Sequence, residues 1–388
     1  MTLAELLKVA EDSKASDVHI TVGVPPLMRV HGKMMPIPNE PRLMAEDVEA
    51  LVKGIMGEFQ KRAFAERGEI DFSFGLAGMG RYRVNVFRQR GTTAAVFRLV
   101  GSKIPNPHDL GVPQPVIDLY EMKSGLVLVT GPTGSGKSTT CYTVLNELNR
   151  PEVNIITVED PVEANVPGIN QVQVNVKAGL TFASALRSIL RQDPDIIMIG
   201  EIRDGETAQI AVQASITGHL VVSTLHTNST AASITRLIDM GVEPYMIGDA
   251  VVGIIAQRLV RRLCPSCKVP HEATAQEKVL LDYPQDKPLT IYDPGGCDKC
   301  GNGYKGRRAI YEIMPISAAI RRTLHDTVTA EIIQNAAVSE GMNTLQMAGA
   351  RNVIDGVTSI AEMMRVAYDM DAQTAANTMG ISEESSEE

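Results

Sequence analysis

Gly131-Pro-Thr-Gly-Ser-Gly136-Lys137-Ser138 fits the pattern G-x-x-x-x-G-K-[ST] at every fixed position. Its small residues let backbone N–H groups curl around phosphate oxygens. The stretch lies between an apolar strand expected at 126–130 and a helix expected from about 138 to 148, whose positive end adds to the attraction. Lys137 is expected to reach the β and γ phosphates and the Ser138 hydroxyl to bind Mg²⁺. Gly131, Pro132, Thr133, Gly134, Ser135, Gly136, Lys137, Ser138 and Thr139 are therefore the expected ATP-binding residues. A loop that binds nucleotide does not by itself hydrolyse it; that needs a group to orient water and others to offset developing charge.

Acids and histidines follow the neighbouring strand candidates. Ile155-Ile-Thr-Val-Glu159-Asp160-Pro161-Val162-Glu163 places three acids just past an apolar strand, at the edge where ligands sit in an open parallel sheet. Glu163 is the better candidate for the base that polarises water, while Glu159 or Asp160 would support metal-bound water or the local turn. Asp195-Ile-Ile-Met-Ile-Gly200-Glu201 is a second apolar strand ending in an acid, with the character of a Walker B element holding Mg²⁺ through water. His219 and His226 bracket the strand expected at 220–225. His226, at its C-terminal end, is placed to sense the γ-phosphate, and His219 reads as a packing or hydrogen-bonding residue.

Two further groups lie outside this cluster. Period-two alternation puts Arg81 and Arg83 on one face of a strand, opposite Tyr82, Val84 and Val86, with Arg98 on the neighbouring strand. Guanidinium groups so placed suit a phosphate bound in trans, as arginine fingers from an adjacent subunit; ordinary solvated arginines are the alternative. Arg203, two residues after Glu201, is a further candidate at a subunit boundary. Cys264-Pro-Ser-Cys267 and Cys297-Asp-Lys-Cys300 form a CxxC…CxxC set with the spacing of a closed tetrahedral zinc site, whose role would be structural. Cys141 reads as a small core residue.

The elements that position these residues follow from length and periodicity. The 388 residues suffice for two or three domains, and 44% hydrophobic with 21% charged residues fits a folded chain. Residues 1–100 read as a small α+β domain: a helix near the start, strands at 17–22 and 27–31, a helix over 45–65, then strands at 69–74, 81–88 and 93–100. Residues 101–115, with four prolines, read as a stiff linker. Residues 116–367 alternate strands and helices, which indicates a largely parallel sheet covered on both faces. Beyond Met240 the reading is mostly helical, interrupted by the cysteine insert at 264–300. Residues 368–388 read as an acidic, disordered tail. A net charge of −9, no Trp and 4% aromatics argue against direct nucleic-acid binding. No apolar run is long enough to span a membrane and the N-terminus does not read as a secretory signal, so the expected location is the cytoplasm.

Taken together, GPTGSGKST, ITVEDPVE, LRQDPDIIMIGEIRD and TGHLVVSTLHTN strongly resemble the secretion ATPase superfamily that powers type IV pili and type II secretion. Residues 15–20 and 25–30, together with the overall length, look like a twitching-motility retraction ATPase. The cysteine insert and the stretches at 341–346 and 355–360 look instead like the pilus-assembly or type II secretion branch. The resemblance implies a RecA-like P-loop domain preceded by a small PAS-like α+β domain, in a homo-hexameric ring with ATP bound between the two domains. It assigns the catalytic base to Glu163, the Walker B acid to Glu201 and the phosphate-proximal histidine to His226, and matches the arginines Arg81, Arg83 and Arg98 more loosely. It implies an inner-membrane platform protein as partner, met at the cytoplasmic face of that membrane. Pilus retraction is the expected role, with assembly or type II secretion as the alternative. Two readings of other classes are a nucleotide-gated scaffold that does not hydrolyse ATP and a nucleic-acid translocase.

Overall fold

The computed structural model describes residues 2–30, 33–76, 79–100, 104–300, 302–325 and 327–367. The tail expected at 368–388, residues 101–103 of the expected linker and Gly301 lie outside these. The chain divides into two compact units, residues 1–104 with 163–167, and 105–162 with 168 onward.

The first unit opens on α1 (Leu3–Asp12), started by a reciprocal capping box between Thr2 and Glu5; helical spacing puts its buried Leu3, Leu6, Leu7 and Ala10 on one face. The strands β1 (Asp17–Ile20), β2 (Leu27–Val30) and β3 (Lys33–Pro36) come next. The single helix expected over 45–65 is two, α2 (Ala45–Lys53) and α3 (Glu58–Arg67), because α2 runs out at Gly54 and Gly57 caps α3. Then β4 (Glu69–Leu76), β5 (Gly80–Gln89) and β6 (Thr92–Val100) complete an antiparallel sheet of order β3-β2-β1-β6-β5-β4. Tyr82, Val84, Val86 and Phe97 are buried on one face of it, with Leu6, Leu7, Val18, Val48 and Val52 in the same core. β3 escaped the sequence reading because all four of its residues are exposed and carry no apolar alternation.

The second unit begins with helices where a linker was expected. Asn106 caps α4 (Pro107–Leu110), Pro107 occupies its first turn and Gly111 closes it in the left-handed region. After α5 (Gln114–Tyr120) come β7 (Gly125–Thr130), α6 (Lys137–Leu148), β8 (Ile155–Glu159), β9 (Asn170–Gln173), α7 (Phe182–Ile189), β10 (Ile196–Ile199), α8 (Gly205–Ile216), β11 (Leu220–Leu225), α9 (Thr230–Asp239) and α10 (Pro244–Ala250). Every residue of β7, β8, β10 and β11 is buried, which is why these strands read as unbroken apolar runs.

The region beyond Met240 corrects the helical expectation. It holds two long strands, β12 (Val251–Leu263) and β15 (Tyr304–Pro315), paired antiparallel. Between them lie β13 (Val269–Glu272), α11 (Ala275–Leu280) and β14 (Thr290–Asp293), so the cysteine insert is the connection of a long hairpin. The sheet order is β15-β12-β7-β11-β10-β8-β9, parallel except for the β15 edge. A strand buried on both faces has no alternation, and over 13 residues it imitates a buried helix. The chain closes with α12 (Ala318–Thr323), α13 (Ala330–Ser339), α14 (Leu345–Ile354) and α15 (Ile360–Ala367).

Candidate nucleotide site and cysteine cluster

The parallel order of β7, β11, β10 and β8 brings their C-terminal ends to one edge. That edge carries the loop after β7, Glu159 at the end of β8, Glu201 after β10 and His226 after β11, the position where an open α/β sheet binds ligands. Lys137 is buried, and its Nζ donates to the carbonyls of Gly131 at 2.7 Å and Pro132 at 3.1 Å. The ammonium therefore sits inside the loop. Gly136 starts α6 with φ +90° and Gly131 has φ +151°, both costly for a residue with Cβ. A Cβ at Gly131 would also meet the Gln257 carbonyl at 2.5 Å, and one at Gly136 the Gln257 Nε2 at 2.8 Å. The Ser135 hydroxyl is buried with no hydrogen-bond partner. A tight glycine cradle, an interior ammonium and an unpartnered buried hydroxyl fit a phosphate group.

Glu201 and His226 meet at this edge. The Glu201 carboxylate, 13% exposed, lies 2.5 Å from Arg203 Nη2, and its other oxygen is 3.6 Å from His226 Nε2. Arg203, expected at a subunit boundary, is thus an ion-pair partner of Glu201 within the chain. Burial, then the charges of Lys137 and Arg203, push the His226 imidazole below its ordinary value, against the pull of Glu201. At neutral pH this histidine is uncharged, able to donate from one ring nitrogen and accept at the other. Its turn is tied to the end of β7: the Thr227 N–H donates to Thr130 Oγ1 at 3.0 Å, and the Thr227 hydroxyl shares a 2.6 Å hydrogen bond with Ser233. Glu201 and the half-buried Ser138 are the residues that would hold Mg²⁺.

Glu159 is buried rather than solvated. Tyr142 donates to it, as do Thr157 at 2.5 Å and Gln171 at 3.1 Å. These bonds leave it a structural anchor between α6 and β8. Glu163 is exposed and its segment, 163–167, groups with the first unit. His219 sits at the far end of β11, where its Nδ1 is 3.1 Å from the Ala214 carbonyl. Cys141 is fully buried beside Tyr120, and burial raises its thiol to about 11.

In the first unit, Arg83 on β5 faces Arg98 on β6 directly. Like charges paired this way repel unless an anion intervenes. Asp17 supplies one: Arg98 Nε donates to its carboxylate at 2.9 Å. Burial works to raise the Asp17 pKa, but hydrogen bonds from Ser16 and Arg98 outweigh it and hold the carboxyl below its usual value. Arg83 is exposed and Arg81 half-buried.

Sequence reasoning missed Gln257 and Arg258 on β12. The Gln257 side chain donates from Nε2 to the Ser135 carbonyl at 2.9 Å and accepts from Thr140 Oγ1 at 2.9 Å. Arg258 Nη2 donates to the Asn228 carbonyl and side chain, at 3.1 and 3.2 Å. The available signal was a polar Gln-Arg pair inside an apolar run, which in a folded chain must find partners.

The four insert cysteines converge. Their sulfurs all lie within 4.8 Å of one another, with Cys267 to Cys300 at 3.5 Å and Cys297 to Cys300 at 3.6 Å. A tetrahedron with Zn–S bonds of about 2.3 Å spaces its sulfurs about 3.8 Å apart. The separations exceed a disulfide bond of about 2.05 Å. Gly296 donates its N–H to Cys267 Sγ at 3.2 Å, as metal-binding thiolates require of their surroundings. The donor set fits zinc, and as four thiolates fill a tetrahedron the fit is to a structural ion.

A P-loop after an inner strand of a mostly parallel sheet, with an acid and a histidine on adjacent strand ends, defines a nucleoside-triphosphate-binding fold of the RecA-like kind. Residues 88–365 match the family described as type II/IV secretion system protein, and the chain belongs to that family. It is 50% identical over 249 residues to the type II secretion system ATPase E of Vibrio cholerae, a match covering 64% of this chain and 49% of that protein. It is 41% identical over 350 residues to the type IV pilus assembly ATPase PilB of Pseudomonas aeruginosa, covering 88% and 62%. The chain spans about half the length of the curated relatives it matches. Among solved structures, the pilus retraction motor PilT with bound ADP superposes with a TM-score of 0.76 at 33% identity, covering 94% of this chain and 96% of that one. Among the described residues, no helix is long and apolar enough to cross a membrane.

Proposed function

We propose that this chain is an ATP-hydrolysing motor subunit that works in a homo-hexameric ring on a type IV pilus or type II secretion machine. The observation that carries the reading is the complete phosphate loop set beside Glu201 and His226 at one sheet edge. Lys137 and the loop N–H groups bind the β and γ phosphates, and Ser138 and Glu201 hold the metal. Bound Mg²⁺ supplies charge neutralisation at those phosphates. Glu163 orients and deprotonates the attacking water. The uncharged His226 senses the γ-phosphate and reports its loss to Glu201. Arg81, Arg83 and Arg98 neutralise phosphate charge from a neighbouring subunit, and loss of the γ-phosphate releases that hold. The four cysteines bind a structural zinc. The ring acts from the cytoplasm on an inner-membrane platform protein.

Identities of 50% and 41% to an export ATPase and an assembly ATPase, together with the cysteine cluster, favour the assembly or secretion direction. Retraction is the second reading, favoured by the near end-to-end match to a retraction motor. The test of the common reading is Mg²⁺-dependent phosphate release by purified protein, with Lys137→Ala as control. ATP bound without release above that control would leave the non-hydrolysing scaffold; release stimulated by DNA would revive the translocase. Direction is tested by pilus counts and retraction events in cells lacking the chain: absent pili mean assembly, abundant non-retracting pili mean retraction.

A further inference from the structure

The phosphate loop is built of residues too small to stiffen it. Gly134, with φ +80°, has open space where a Cβ would stand. What holds the loop comes from β12. Gln257 is 1% exposed and spends both ends of its amide on the loop and the helix it opens: Nε2 on the Ser135 carbonyl, Oε1 on the Thr140 hydroxyl one turn into α6. In a trans peptide the carbonyl and the following N–H point in opposite directions. Fixing the Ser135 carbonyl against Gln257 therefore turns the Gly136 N–H away from the strand, leaving it for an anion. The close approaches at Gly131 and Gly136 show that the loop lies directly on β12 at both its ends. On the next residue, Arg258 grips Asn228, two residues past His226. One strand thus fixes the loop and the histidine turn relative to each other.

We propose that Gln257 is a positioning residue for phosphate binding, acting through Ser135 and Thr140 to aim the loop N–H groups. The inference rests on the nucleotide reading above. Because the β-phosphate is shared by ATP and ADP, losing this hold weakens both alike. It raises KM more than it lowers kcat.

The test is calorimetric titration of the full chain with Mg-ATP and Mg-ADP, alongside steady-state kinetics. The variants are Gln257→Met, which keeps length and volume but makes neither hydrogen bond, and Gln257→Glu, which can accept from Thr140 but cannot donate to Ser135. Both are expected to bind ADP about tenfold or more weakly, with KM rising in step. Thr140→Val is expected to cost the parent about threefold and to cost Gln257→Met nothing further, because the bond is already gone. If Gln257→Met fails to fold, Gln257→Glu and Thr140→Val in the parent give the readout. A folded Gln257 variant that binds ADP within about twofold of the parent overturns the inference. So does a loss confined to kcat. A parent that binds no better than Lys137→Ala shows instead that the nucleotide reading has failed, and the inference falls with it.

Discussion

His226 Nε2 stands 3.6 Å from the Glu201 carboxylate, which also holds Arg203 at 2.5 Å. A neutral imidazole and an acid bound to an arginine thus share one strand edge with Lys137. The proposed sensing role rests on these three changing partners when a phosphate arrives.

The His226 titration reports on this arrangement directly. Burial and Lys137 lower its pKa while Glu201 raises it. Carbon-13 NMR of labelled histidine rings is expected to show a midpoint below 6.5, moving upward in Lys137→Ala and further down in Glu201→Gln. A folded-state value below the unfolded one means the folded state binds fewer protons. The resulting stability is present above pH 6.5 and is lost as pH falls through the folded midpoint. A midpoint above 6.5, or shifts of opposite sign, would contradict the assigned neighbours.

In the proposed site, Lys137→Ala removes a charge-assisted contact to phosphate. Such contacts are worth about 2–3 kcal/mol, so ATP affinity is expected to fall about 30- to 150-fold. Equilibrium binding of ATP measures it. Glu163→Gln is expected to keep binding and to lose turnover by about a hundredfold or more, as for a missing general base. Parent-like hydrolysis by Glu163→Gln would move the base elsewhere.

Metal analysis of purified protein is expected to give about one zinc per chain, released by chelator or by Cys297→Ser with a drop in melting temperature. Less than about half a zinc per chain, with four free thiols and an unchanged melt, would count against a structural ion.

Stability of the C-terminal region hangs on Glu362, whose side chain is fully buried against Arg261 and Arg365, each at 2.7 Å. Burial raises its pKa, but the two arginines outweigh that and hold it below 4.5. Its contribution is therefore present above pH 4.5 and lost as pH falls through the lowered value. Glu362→Ala is expected to cost about 2 kcal/mol, less than a wholly buried pair because both arginines can resolvate. Urea unfolding at pH 7 measures it.

What the sequence made legible was local. The phosphate loop, the acid after β10 and the two CxxC knuckles each declare themselves within a few residues, because their chemistry needs adjacent groups. Arg83 fell opposite Tyr82, Val84 and Val86 because β5 alternates over that stretch. β15 is exposed over 305–308 and alternates only beyond that. β12 was hidden because burial on both faces erases alternation, and with it went Gln257 and Arg258. Their partners lie more than a hundred residues away for Gln257 and about thirty for Arg258, at separations no local pattern encodes. Asp17 went unnoticed in the sequence, because only the strand register sets it opposite Arg98.

Mg²⁺-dependent phosphate release, measured across a wide range of protein concentration with Lys137→Ala beside it, tests the motor reading most directly. Sites completed by arginines of a neighbouring subunit are expected to make specific activity rise as rings assemble, and the mutant is expected to abolish it. No release above the mutant at any concentration, despite bound ATP, would contradict it.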